Sequence, residues 1–162
     1  MNNITFVRTG NLLSLGHQTK CILKLNDGYF KDLKGATIGV ESSNLNIDMT
    51  TKVSMTNITA TSLNGASNSF ISIDEGGELY VYNSYFTNID NIEKGAVLNA
   101  GYKNSYTEVH NSTFRNNLSV YGGVANVQDG SVIKFYNSNI TENFAVQSGA
   151  IQTSRDGHFE LF

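Results

Sequence analysis

One short pattern recurs along this chain at a nearly constant interval, and nothing else in the sequence constrains the fold as tightly. Asn83-Ser84-Tyr85-Phe86, Asn111-Ser112-Thr113-Phe114 and Asn137-Ser138-Asn139-Ile140 are each followed, nine residues on, by Gly95, Gly123 and Gly149. The apolar column Ile4, Phe30, Ile58, Phe86, Phe114, Ile140 advances in steps of 26, 28, 28, 28 and 26. Gly10, Gly39, Ser67, Gly95, Gly123 and Gly149 keep the same pace. A repeat of this length marks a solenoid or array, in which each unit buries its apolar face against its neighbours.

Within each unit the pattern alternates. Leu25, Val53, Val81, Val109 and Phe135 form one apolar column, and Leu23, Thr51, Leu79, Thr107 and Ile133 lie two residues earlier. Lys24, Lys52, Tyr80, Glu108 and Lys134 fall between them. Period two belongs to strands, not helices. A further column, Asp27, Met55, Asn83, Asn111 and Asn137, sits where the chain must turn. Asn suits such corners because it tolerates left-handed backbone, and stacked Asn side chains can also bond one another. The chain has 21 Asn and no Pro among 162 residues. The missing Pro fits strands paired on both sides, where a residue without an N–H has few places.

These features predict an all-β chain. The architecture expected is a right-handed parallel β-helix of about six coils of roughly 28 residues, one domain over residues 1–162. A β-sandwich is the alternative; it explains the alternation but not the registered columns. The stack Phe30, Ile58, Phe86, Phe114 and Ile140 is expected inside.

Charge excludes one class of partner. Charged residues make up 15% and the net charge is −3, with no basic block. Nucleic-acid binding needs clustered Lys and Arg to neutralise phosphates. No apolar run is long enough to span a bilayer, and because Met1 leads directly into repeat no signal peptide is expected within this segment. Cys21 is the single cysteine and reads as a buried thiol, with pairing outside this segment as the other option.

Gly122-Gly123-Val124-Ala125 and Gly149-Ala150-Ile151 resemble the GGAI element of chlamydial polymorphic membrane proteins. Phe114-Arg115-Asn116-Asn117 and, more loosely, Ile140-Thr141-Glu142-Asn143 resemble their FxxN element. At Phe86 the third following residue is Ile89, not Asn. More broadly the chain resembles pectin-lyase-like β-helix proteins, which include adhesins, autotransporter passengers and large protist surface proteins. That resemblance implies a surface-exposed solenoid. It also raises an enzyme reading, because some relatives of this fold cleave polysaccharides with clustered Asp residues, or with Ca²⁺-binding carboxylates and a basic Arg.

The sequence holds no Asp-Asp pair and no Asn-Thr-Asp motif, and its Arg residues are Arg8, Arg115 and Arg155. Asp129 and Asp156 lie about one coil apart and are the only candidates for stacked Ca²⁺ ligands, with Asp74 in a comparable turn. Asp is also common in such turns for its own sake. His17, His110 and His158 share no register. Tyr80, Tyr82 and Tyr85, with Tyr29 and Tyr136, offer aromatic surface for sugar rings or simply cover a sheet. Asn3, Asn57, Asn111, Asn117 and Asn139 each begin an N-x-S/T sequon, the acceptor for N-linked glycans in a secreted eukaryotic protein. Alternation points Asn57 and Asn139 outward, and the corner position predicts Asn111 to be partly buried.

The expectation is a non-enzymatic extracellular or cell-surface segment, acting as stalk, adhesin or filament subunit. It needs no cofactor beyond N-linked glycans. Further coils of the same polypeptide or end-on stacked chains are the expected partners, with surface glycans or protein ligands after them. A carbohydrate-active enzyme or binding module is the alternative. Because apolar repeat residues run to both ends, the sequence is expected to be a piece of a longer solenoid.

Overall fold

The computed structural model is a parallel β-solenoid of three sheets, without a helix among the described residues. It describes residues 4–7, 13–14, 21–32, 45–47, 51–66, 69–101 and 104–162. The first rung of each sheet is β1 (Ile4–Val7), β2 (Leu13–Ser14) and β3 (Cys21–Asn26). The second is β4 (Gly28–Lys31), β5 (Leu45–Ile47) and β6 (Thr51–Thr56), and the third is β7 (Thr59–Ala66), β8 (Ile71–Ile73) and β9 (Glu78–Tyr82). Then come β10 (Tyr85–Asn91), β11 (Leu98–Ala100) and β12 (Tyr106–His110). In the next turn the first-sheet segment splits into β13 (Thr113–Arg115) and β14 (Leu118–Tyr121), before β15 (Ala125–Val127) and β16 (Val132–Tyr136). The last turn is β17 (Asn139–Thr141), β18 (Phe144–Gln147), β19 (Ile151–Thr153) and β20 (His158–Leu161).

All pairing is parallel. The first sheet runs β1-β4-β7-β10-β13-β17, with β14 between β10 and β18; the second runs β19-β15-β11-β8-β5-β2 and the third β20-β16-β12-β9-β6-β3. From Thr51 onward about four turns follow one another almost without interruption. Their length is set by residues that face each other across rungs. Val53 faces Leu79, 26 residues on, and Phe86 faces Phe114, 28 on. Phe114 faces Ile140, 26 on, so the repeat is shorter than the expected 28 at most steps.

The expected core is the observed core. Phe30, Ile58, Phe86 and Phe114 are buried, and Ile140 is partly buried against them. Val53, Val81, Val109 and Phe135 are buried on the third sheet. Phe86 stacks on Phe114 with centroids 5.0 Å apart, and Phe70 wedges between Phe30 and Phe86 at 5.4 and 6.3 Å.

The register of the second rung differs from the sequence reading. Ala60, not Ile58, sits between Phe30 and Phe86. Met55, not Val53, sits between Leu25 and Val81, and Val53 follows Leu23 instead of Thr51. Asn57, not Met55, lies between Asp27 and Asn83 at the corner, where its Nδ2 donates to Asp27 Oδ1 at 3.0 Å. One cause explains all three. From Phe30 to Phe86 is 56 residues, which the chain divides as 30 and 26 rather than 28 and 28. The extra length lies between Lys31 and Thr51. Ile58 is accommodated over Gly28, where a Cβ would come within 2.9 Å of Ile58 Cδ1.

A smaller slip occurs at the glycines: Gly95 is level with Gly122, not Gly123, because the second sheet steps by 27 from Leu98 to Ala125. Both have positive φ, 40° and 64°, and a Cβ at either would run into the carbonyl oxygen three residues ahead. That clash explains why only Gly serves there. Gly10, Gly39 and Ser67, like Asn3 and His17, lie outside the described residues, as does the Cys21 side chain.

Corners also explain the F-x-x-N spacing. Ser62, Asn88, Asn116 and Glu142 all have φ between 54° and 57°. One left-handed residue after a short strand shifts the alternation, so the inward positions fall three apart instead of two. Ala60 and Leu63, Phe86 and Ile89, and Phe114 and Asn117 are buried as such pairs. The corners between the second and third sheets use double left-handed turns, as at Glu75-Gly76, Asp129-Gly130 and Arg155-Asp156, and there the Gly77, Ser131 and Gly157 N–H groups each donate to the carbonyl three residues back, at 3.0 Å.

Two substitutions test this core. Phe86→Ala removes a fully buried ring with aromatic neighbours on two sides, and should cost about 3–5 kcal/mol in chemical denaturation. Thr107 lies in the inner column between Leu79 and Ile133, fully buried, with no hydrogen-bond partner for its Oγ1. Thr107→Val replaces that hydroxyl with a methyl of similar volume and should raise stability by about 1 kcal/mol. A loss on Thr107→Val would place the hydroxyl in a polar environment that this structure lacks.

Candidate functional site

The outer face of the third sheet carries most of the polar chemistry. Its strands present three columns. Lys52, Glu78, Tyr106, Val132 and His158 form the first; Ser54, Tyr80, Glu108, Lys134 and Glu160 the second. Thr56, Tyr82, His110 and Tyr136 form the third, continued by Phe162.

The third column is a ring stack. Tyr82 to His110 measures 5.1 Å, His110 to Tyr136 4.6 Å and Tyr136 to Phe162 4.6 Å, with interplanar angles of 15°, 7° and 6°. These distances equal the rung spacing of a sheet, about 4.8 Å, so each ring lies flat on its equivalent one coil away. The faces of Tyr82, His110 and Tyr136 are thereby covered by neighbours in the same column. Tyr80 is shielded differently: Lys52 Nζ sits 4.3 Å from its centroid. Tyr29 and Tyr85 belong to the first sheet, on either side of Thr59, and are exposed.

Charges on this face are tied to neighbours. Lys52 Nζ bonds Glu78 Oε2 at 3.1 Å, and Tyr80 donates to the same oxygen at 2.9 Å. Tyr106 donates to Glu108, His110 Nε2 lies 3.2 Å from the other Glu108 oxygen, and Lys134 pairs with Glu160 at 3.2 Å. The hydroxyl of Tyr106 holds the Glu108 carboxyl below its ordinary range, with His110 and Lys134 adding to the effect. Tyr80 and then Lys52 lower Glu78 likewise. Burial, then the adjacent carboxylate, raises the Tyr106 and Tyr80 hydroxyls above theirs. His110 and His158 stand in different columns, as their spacing implied.

The second sheet carries a buried polar column on its outer side. Ser72, Asn99 and Asn126 face one another across rungs and continue to Gln152. Asn126 Nδ2 donates to Asn99 Oδ1 at 2.8 Å, and Ser72 Oγ donates to Asp74 at 2.9 Å. A second amide ladder lies inside the first-sheet corner. Asn117 Nδ2 donates to Asn143 Oδ1 at 2.9 Å and to the Phe86 carbonyl at 3.2 Å, while Asn117 Oδ1 accepts from the Ile89 N–H at 3.1 Å. Asn143 repeats the arrangement on the Phe114 carbonyl. Composition alone does not reveal these ladders, but the F-x-x-N spacing marks the members of the second, Asn117 and Asn143.

Asp129 and Asp156 are not stacked. Asp129 is level with Arg155, whose Nη1 lies 3.8 Å from Asp129 Oδ2. Asp156 is level with Gly130, because the rung step here is 26 and the two Asp are 27 apart. Both have left-handed φ, 52° and 62°, as the two carboxylate-bearing members of Asp-Gly turns. Among the described residues no three His, Cys, Asp or Glu side chains converge as a cation site. Asn57, Asn111 and Asn139 are exposed, whereas Asn117 is 1% exposed. Asn111 is thus more open than its corner position suggested.

Comparison with known protein families finds no match, and comparisons with curated proteins and with solved structures find none that is significant.

The carboxylate contacts set a pH dependence. Glu78 and Glu108 have folded-state pKa values below the ordinary glutamate value of about 4.3. Their contribution is present above that value and is lost as pH falls through the lowered one. Tyr80 and Tyr106, raised, contribute below about pH 10 and lose that contribution as pH rises beyond it. Denaturation midpoints should therefore be level near neutrality and fall at both extremes. Glu108→Gln should shallow the acid limb; an acid limb identical to that of the parent would remove Glu108 from its cause.

Proposed function

We propose that this chain is a non-enzymatic extracellular or cell-surface solenoid, serving as a stalk, adhesin or filament segment. The observation that carries this reading is the use its polar and aromatic side chains are put to. Tyr82, His110 and Tyr136 stack on each other, Glu78 and Glu108 accept bonds from Tyr80 and Tyr106, and Asn99, Asn117, Asn126 and Asn143 form amide ladders. The stacked rings and the amide ladders brace one coil against the next, and the tyrosine–glutamate bonds, made within a strand, engage the carboxylates. A glycosidase instead needs two carboxylates facing one cleft at a defined separation.

The likeness to chlamydial polymorphic membrane proteins and pectin-lyase-like surface proteins agrees with this reading. Its motifs have structural work to do: Phe114 and Asn117 fill the first-sheet corner, and Gly122 makes the next one. They therefore speak to the solenoid, and the surface role rests on the analogy. Natural partners of such a segment are further parallel coils. The edge strands β17 to β20 would receive them, with Phe159, Leu161 and Phe162 available for burial.

Two measurements test the reading together. A membrane-impermeant amine reagent applied to intact source cells should label the protein through exposed Lys24 and Lys52. The purified protein should release no oligosaccharide from pectin-type or alginate-type polymers. Labelling only after lysis would sink the surface role, and polymer cleavage abolished by substitution of a carboxylate would establish the enzyme alternative.

A further inference from the structure

Of the five sequons in the sequence, four fall on described residues, and the fold treats these unequally. Asn57 and Asn111 occupy the same corner column, between the third and first sheets, with φ of 56° and 49°. Asn139 lies on the next coil beyond Asn111, directly over Thr113, the third residue of the Asn111 sequon. All three are exposed. They line one edge of the solenoid, with Asn57 and Asn111 two rungs or about 10 Å apart. The side chains are free to accept a substituent. Asn57 uses one of its two Nδ2 hydrogens on Asp27, leaving the other, and among the described residues neither Asn111 nor Asn139 has a side-chain hydrogen-bond partner.

Asn117 is the reverse case. It is 1% exposed, and its Nδ2 donates to both the Phe86 carbonyl and Asn143 Oδ1. A sugar on that nitrogen would take the place of one of those hydrogens and would have to occupy the packed corner above Phe86. N-glycan transfer requires an accessible Asn in an N-x-S/T context, and a folded coil cannot supply one here.

We propose that Asn57, Asn111 and Asn139 are N-glycan attachment sites that clothe this one edge, and that Asn117 is not a site. This rests on the extracellular reading. Glycans there would flank the outer face of the third sheet while leaving uncovered the exposed apolar residues Ile92, just after β10, Leu118 on β14, and Phe144 and Val146 on β18.

The test is glycopeptide mapping of the protein purified from its source. Enzymatic removal of N-glycans in heavy-oxygen water converts each formerly occupied Asn to labelled Asp. The expected result is labelling at Asn57, Asn111 and Asn139 and an unlabelled Asn117. Unmodified amide at all three edge positions would overturn the proposal, and so would labelling of Asn117 in folded protein. Surface labelling of intact cells is a separate readout, so a bare but surface-labelled protein would end this inference and leave the surface reading standing. Asn139→Gln, at an exposed strand position of ordinary backbone conformation, should reduce the glycan count by one with no change in denaturation midpoint. Asn117→Gln should leave the count unchanged and lower the midpoint, because it misplaces the amide that serves Phe86, Ile89 and Asn143.

Discussion

Parallel rungs about 4.8 Å apart govern almost everything else in this molecule. Each side chain must tolerate its own equivalent one coil above and one below. Apolar groups meet that condition by packing, aromatic rings by lying flat on one another, and amides by donating to the next amide. Like charges cannot meet it, since two unit charges that close repel by about 1 kcal/mol even in water. The outer columns accordingly pair opposite charges: Lys52 lies beside Glu78 in one, and Glu108, Lys134 and Glu160 alternate in the next. Arg115 reaches Glu142 through two hydrogen bonds of 2.8 and 3.1 Å across the same interval. Such exposed pairs add little stability individually. Their value lies in the absence of repulsion, which would otherwise recur down a column.

A solenoid must also bend three times per turn, and the bends explain the composition. Corner residues at Asp27, Asn57, Asn83, Asn111 and Asn137 all have φ between 47° and 56°. An L-residue there pays a steric cost that Asn and Asp partly offset by local hydrogen bonding. Asn is therefore abundant for two unrelated reasons. At the corners it accepts a strained backbone and faces solvent; in the ladders its amide is buried and satisfies backbone groups that no strand partner reaches. Asn116 and Asn117 show both roles side by side: the first is left-handed and exposed, the second faces inward and is buried.

This duality limits what could be read from the sequence. Period, class and core were legible because burial repeats at a nearly fixed interval and alternates by two. Register was not legible across the second rung. Two unequal steps of 30 and 26 sum to the same 56 residues as two equal ones, so Phe30 and Phe86 align under either division. Only strand pairing separates them, and it puts Ala60 where Ile58 was expected. Hydrophobicity could not arbitrate, because Ile58 is buried too. The one-residue slip at Asp129 and Asp156 has the same origin. Two Asp-Gly dipeptides look equivalent, but the turn advances by one residue and sets Arg155, a cation, beside Asp129.

The surface chemistry was legible as residue types and illegible as availability. A row of tyrosines reads as a platform for sugars when only their spacing is known. Stacking at 4.6–5.1 Å along the axis covers the faces of Tyr82, His110 and Tyr136, whereas Tyr29 and Tyr85 stay exposed on the first sheet. The same logic applies to Glu78, Glu108 and Glu160 on the third sheet, whose oxygens already accept from tyrosine hydroxyls or lysine. What remains unengaged lies at the corners and on the short arm of the first sheet. There Ile92, Leu118, Phe144 and Val146 are 40–70% exposed, an apolar grouping that polar ladders do not reach.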